Sequence, residues 1–149
     1  MSGRIITITG GARSGKSRFA TEKAAETGAP VVYLATASGS DPEMQERIEM
    51  HRAERPSDWS TIEEPTDLTT ALRGADLQKN CVVLVDCLTV WLGGFVCPLY
   101  DSAESDALAA LPAIEAAALD EVENLSQFAR AQDLRLIVVT NEVGDGIVP

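Results

Sequence analysis

Positive charge is scarce in this sequence of 149 residues: 12 Lys and Arg stand against 23 Asp and Glu, for a formal net charge of −11. That balance argues against nucleic acid as the main partner, because neutralising a polyanion needs clustered Lys and Arg. Any anionic ligand has to be held by local positive groups. Cysteine is scarce too. Cys81, Cys87 and Cys97 show neither CxxC nor Cys/His spacing, which argues against a disulfide framework and a structural zinc site. Cys81 and Cys87 are expected to be ordinary buried thiols. No segment nears the roughly 20 apolar residues that a membrane-spanning helix needs. The first residues lack the basic stretch and apolar core of a secretory leader, so a cytoplasmic setting is expected. There is no internal repeat and no low-complexity tract.

Hydrophobic residues make up 45% of the chain and charged residues 23%, a globular balance, and the length suits a single domain over 1–149. Arg4 to Thr9 is β-branched and reads as a strand. Lys16 to Glu26 is rich in helix formers and stops at Gly28. Val31 to Ala35 and Val82 to Val85 are near-continuous apolar runs, the mark of strands covered on both faces. Leu134 to Val139 is the fourth strand. Between them, Asp41-Pro42 opens a helix that runs to Arg55-Pro56, and Asp67 to Arg73 is a short helix. Gly93 to Ser105 reads as a loop, and Glu104 to Gln132 as an Ala-rich helix restarted or kinked at Pro112. Trp59 is expected to bury its ring and anchor a loop. Strands alternating with helices at this spacing predict an α/β fold, a mostly parallel sheet with helices on both faces and ligands at the carboxyl ends of the strands.

The strongest motif is Gly10-Gly11-Ala12-Arg13-Ser14-Gly15-Lys16-Ser17. It fits G-x-x-x-x-G-K-[ST] and has the strand before it and the helix after it that a phosphate-binding P-loop requires. The expected fold is therefore the RecA-like kind of P-loop NTPase. Glycines let successive backbone N–H groups turn toward phosphate oxygens, and the helix presents its positive end there. Lys16 is expected to bridge the β and γ phosphates, and the Ser17 hydroxyl to complete the coordination of Mg²⁺. Asp86, closing VVLVD, is the expected Walker B carboxylate; its bland alternative is a turn cap. Glu142 is a weaker candidate of the same kind, and Thr140 and Asn141 beside it are candidate binding groups.

His51 is the single histidine, and a lone histidine on a polar helix is more often a surface residue than a catalyst. Its neighbours change that weighting. Arg47 and Arg55 lie at i−4 and i+4, on one flank if the helix persists that far. Two cationic neighbours disfavour the imidazolium and keep a neutral nucleophile. The same arginines can clamp phosphates or pair with Glu43, Glu46 or Glu54 as a solvated charge face.

With GGARSGKS, the segment RIEMHRAERPSDW (Arg47 to Trp59) and the closing VTNEVGDGIVP (Val139 to Pro149) together in view, the chain resembles the bifunctional adenosylcobinamide kinase/adenosylcobinamide-phosphate guanylyltransferases of bacterial cobalamin synthesis. The resemblance implies phosphorylation of adenosylcobinamide by ATP or GTP, followed by transfer of GMP from GTP onto adenosylcobinamide phosphate. It places His51 at the position of a covalently guanylylated histidine. It aligns Thr36, Ala37, Ser38, Arg52, Ala53, Glu54, Arg55, Glu63 and Asp86 with nucleotide-contacting positions, and it implies a homo-oligomer, possibly a trimer. The family's usual acidic residue at the end of the third strand is often Glu; here it is the shorter Asp86. The family continues past Ile147-Val148-Pro149 with a further helix and strand, so the C-terminal part of the fold is expected to be missing here. Two competing readings stay open: a small-molecule kinase that never guanylylates, with His51 a bystander, and a nucleotide-binding module without turnover.

Overall fold

The computed structural model describes residues 4–11, 14–37, 42, 46, 49, 53, 55–103 and 106–141. Five strands, β1 (Arg4–Gly10), β2 (Val31–Ala35), β3 (Ser60–Glu63), β4 (Val82–Asp86) and β5 (Arg135–Asn141), form one sheet in the order β1-β5-β4-β2-β3. Every pairing is parallel. The helices are α1 (Lys16–Glu26), α2 (Leu68–Arg73), α3 (Leu88–Ser102) and α4 (Ala107–Ala131). Pro42, Glu46, Glu49 and Ala53 are helical and exposed.

The continuous apolar runs are explained by the pleat, which sends successive side chains to opposite faces. On one face Val32, Leu34, Val83, Val85, Leu136 and Val138 pack with Leu68, Leu72, Trp91, Leu125 and Ala129 from α2, α3 and α4. On the other, Val31, Tyr33, Ala35, Val82, Leu84, Ile137 and Val139 meet Ala20 and Ala24 of α1. Alanines let that helix approach closely. Gly28, at φ +68°, ends it in the left-handed conformation that glycine adopts without strain.

Three expectations are corrected. A fifth strand, β3, pairs with β2 at the sheet edge. It was invisible because Ser60, Thr61 and Glu63 are exposed and only Ile62 is partly covered, so no apolar pattern marks it. The stretch from Gly93, expected to be a loop, is helical to Ser102 despite Gly93, Gly94 and Pro98. Tertiary burial outweighs propensity there. Trp91 is 1% exposed, its Nε1 donates to the Thr66 carbonyl at 2.8 Å, its ring lies 5.1 Å from that of Phe95, and Phe95 and Val96 pack on the core. Pro112 does not restart the helix: α4 is continuous through it. Trp59 does pack its partly buried side chain against the α1-side core.

Candidate functional site

The strand order sets the site. β5 lies between the strand that feeds the glycine loop and the strand that ends in Asp86, with Gly10 opposite Asn141 and Asp86 opposite Val139. The loop and the carboxylate therefore meet at one edge, the carboxyl ends of β1, β4 and β5.

Glycine is demanded by the backbone at Gly15, while at Gly10 an added side chain would require Ser14 to move its hydroxyl. A Cβ on Gly10 would come within 2.6 Å of Ser14 Oγ, and Gly15, the N-cap of α1, sits at φ +84°. Side-chain-bearing residues are strained in that region. The loop is tied by Ser14 N–H to the Gly11 carbonyl at 3.3 Å, and Lys16 Nζ donates to the same carbonyl at 3.2 Å. Lys16 thus curls back over the loop, where its charge faces anything the loop holds. Ala12 and Arg13 lie outside the described residues.

Ser17 Oγ and Asp86 Oδ1 approach to 3.4 Å. This pair of hard oxygens suits a hard divalent cation that takes one or two protein ligands and completes its shell with phosphate and water. Asp86 Oδ2 accepts from the Tyr33 hydroxyl. Burial, then the adjacent Asp86 charge and that hydrogen bond, pushes the Tyr33 phenol far above its ordinary value, so it remains a donor.

Thr36 is 1% exposed and serves as a clamp between strand ends. Its N–H donates to the Asp86 carbonyl at 3.2 Å, its hydroxyl donates to the Cys87 carbonyl at 2.6 Å, and it accepts from Cys87 N–H at 3.0 Å. A buried hydroxyl so engaged holds the Cys87 backbone next to Asp86. Ala37 follows it, half-buried; Ser38 is outside the described residues. Cys87 is only half-buried, where an ordinary buried thiol was expected. Its sulfur caps α3 by accepting from Val90 N–H at 3.4 Å, and burial pushes the thiol up. Cys81 is fully buried.

Glu63 ends β3 opposite Ala35, at the carboxyl end of the sheet like the loop but across its full width, since β1 and β3 are the two outer strands. Arg55 is not helical. The following proline disfavours the helical backbone at that position, so the condition for placing it by helical spacing, a helix that persists to Arg55, is not met. Its guanidinium lies 3.7 Å from the Tyr33 ring centroid, and Nη1 donates to Thr61 Oγ1 at 3.0 Å. His51, Arg47, Arg52, Glu54 and Glu142 fall outside the described residues, while Ala53 is helical and exposed. Thr140 and Asn141 sit beside the loop: Thr140 Oγ1 lies 3.1 Å from Thr89 Oγ1, and Asn141 N–H donates to Thr89 Oγ1 at 2.8 Å. Tyr33 is the site residue that sequence reasoning missed. The available signal was a hydroxyl within an aliphatic strand covered on both faces, where a buried polar group needs a partner.

A cavity of about 650 Å³, lined in part by Arg73, Asp76, Asn124 and Phe128, lies by the segment entering β4. That is the end opposite Asp86, away from the loop.

Residues 6–149 match the family described as cobinamide kinase / cobinamide phosphate guanyltransferase. The chain is 44% identical over 143 residues to the bifunctional adenosylcobalamin biosynthesis protein CobP of Pseudomonas aeruginosa, covering 95% of this chain and 73% of that protein. It is 38% identical over 145 residues to the bifunctional adenosylcobalamin biosynthesis protein CobU of Escherichia coli, covering 97% and 78%. Among solved structures it is similar to the RadB recombinase, at a TM-score of 0.53 and 20% identity. That match covers 94% of this chain but 62% of the recombinase, and it supports the RecA-like fold alone.

Proposed function

The chain belongs to the cobinamide kinase / cobinamide phosphate guanyltransferase family, and on that premise we propose that it is a bifunctional enzyme of adenosylcobalamin biosynthesis. It phosphorylates adenosylcobinamide with ATP or GTP, then transfers GMP from GTP to adenosylcobinamide phosphate through guanylylated His51. The observation that carries the phosphate chemistry is the convergence of Ser17 and Asp86 at 3.4 Å beside the Lys16 loop.

In the kinase step the loop N–H groups and Lys16 grip the phosphate chain and take up charge as the γ-phosphoryl group moves to the acceptor hydroxyl. Ser17 and Asp86 would hold Mg²⁺, which supplies neutralisation of the phosphate charge. In the second step neutral His51 attacks the α-phosphorus of GTP. The bond to the pyrophosphate oxygen breaks, and pyrophosphate leaves against Lys16. The phosphoramidate is then attacked by an oxygen of cobinamide phosphate, which releases the histidine. One difficult transfer becomes two easier ones. A cytoplasmic setting and a homo-oligomer, possibly a trimer, complete the proposal. Leu108 at 77% and Leu119 at 69% exposure supply apolar surface for such an assembly.

Incubation with α-labelled GTP and Mg²⁺ tests the reading. Acid-labile label should remain on the protein and vanish in His51→Ala, while that variant still phosphorylates adenosylcobinamide. Phosphorylation without label on the unaltered protein would instead leave a simple kinase.

A further inference from the structure

β2 reads VVYLA, and its single polar side chain, Tyr33, is 5% exposed. The phosphate chemistry above gives it no part, yet it touches both halves of the site. At its tip the hydroxyl donates to Asp86 Oδ2, while Asp86 Oδ1 meets Ser17. Over its ring lies the guanidinium of Arg55, 3.7 Å from the centroid and tied through Nη1 to Thr61 on β3.

We propose that Tyr33 is a positioning residue that locks the Asp86 carboxylate toward Ser17 and seats Arg55, thereby joining the phosphate site to the segment that carries His51. A carboxylate rotates about its last torsion over a broad, roughly two-fold well. A phenol held on one oxygen removes that freedom and leaves the other facing Ser17. The phenol occupies Oδ2 as a donor and leaves Oδ1 free to face a cation beside Ser17. Stacking on the ring fixes Arg55, which follows His51 by four residues in sequence. A guanidinium over a tyrosine face is held by cation–π attraction. The first half of the proposal depends only on nucleotide and metal binding; the second rests on His51 being guanylylated.

Two variants separate the halves. Tyr33→Phe keeps the ring and removes only the hydroxyl; Tyr33→Leu removes both. Fluorescent-GTP titration of Tyr33→Phe should show binding with Mg²⁺ weakened about tenfold but changed by less than about twofold with chelator, the loss expected for one hydrogen bond to a charged group. Its melting without ligand should remain one cooperative transition, lowered by several degrees as loss of one buried hydrogen bond implies. A uniform loss with and without Mg²⁺, or no loss at all, overturns the role at Asp86. In Tyr33→Leu the ratio of covalent labelling rate to kinase rate should fall about threefold further than in Tyr33→Phe, as loss of a partly exposed cation–π contact implies. An equal ratio in the two variants overturns the role at Arg55. Should Tyr33→Leu fail to fold, Arg55→Gln reads the same ratio with the ring intact. If the unaltered protein takes no label, the guanylylation reading and the Arg55 half fall together, while the Mg²⁺ titration still decides the Asp86 half.

Discussion

A single positive charge matters more here than the net charge of −11 suggests. Lys16 is folded over the Gly11 carbonyl, so its ammonium is pre-placed at the loop. Lys16→Met should lower kcat of both reactions by about 10² to 10³-fold, the cost of removing one preorganised charge-stabilising donor; steady-state assays of each step check it. Glu64 illustrates a residue acting only on stability. Its carboxylate accepts from Asp67 N–H at 3.0 Å and Thr66 N–H at 3.1 Å, and these bonds, the Asp67 one foremost, hold it below the ordinary value of 4.5. A carboxyl whose folded value is depressed adds stability that is present above its unfolded value and lost as pH falls through the folded one. Denaturant midpoints of Glu64→Gln should therefore fall below those of the unaltered protein at pH 7, and the gap should close as pH drops under 4.5. The Lys16 contribution was legible from the motif. That of Glu64 was not, since the turn it braces is made by backbone groups that no residue pattern displays.

At the scale of elements, α3 is the instructive case. Its glycines and proline predicted a loop, but Trp91 fills the space between α3 and the sheet and satisfies its N–H on Thr66. Trp91→Ala should cost about 3–5 kcal/mol through the lost burial and the cavity left behind, read as a drop in denaturant midpoint at unchanged slope. Trp91→Phe should cost less. The buried strands were legible because burial on both faces writes an unbroken apolar run. β3 was not, because an edge strand with exposed side chains leaves its signal in hydrogen bonds to β2. Arg55 lies outside any helix, as the stop expected at Arg55-Pro56 implied, yet where the Arg55 guanidinium goes is set by Tyr33 on a different strand.

For the molecule as a whole, binding at the loop should be felt globally, since it joins β1, α1 and β4 across the sheet. A nucleotide present at about 100 times its dissociation constant adds about 2.7 kcal/mol if the unfolded chain does not bind it. Thermal melting with increasing Mg²⁺·GTP should show a steady rise in midpoint, and Lys16→Met should lose most of it. The sequence by itself determined the P-loop motif, the acidic end of the third buried strand, the parallel α/β class and the family, because glycine spacing, buried strands and motif order are properties of the linear chain. Only the tertiary structure decided that β5 inserts between loop and carboxylate, that Ser17 and Asp86 meet, and that Thr36 is a buried clamp. It also assigned Tyr33 to Asp86 and Arg55. These depend on pairing between segments dozens of residues apart, and no local pattern specifies which strands become neighbours or which oxygen a buried phenol will find.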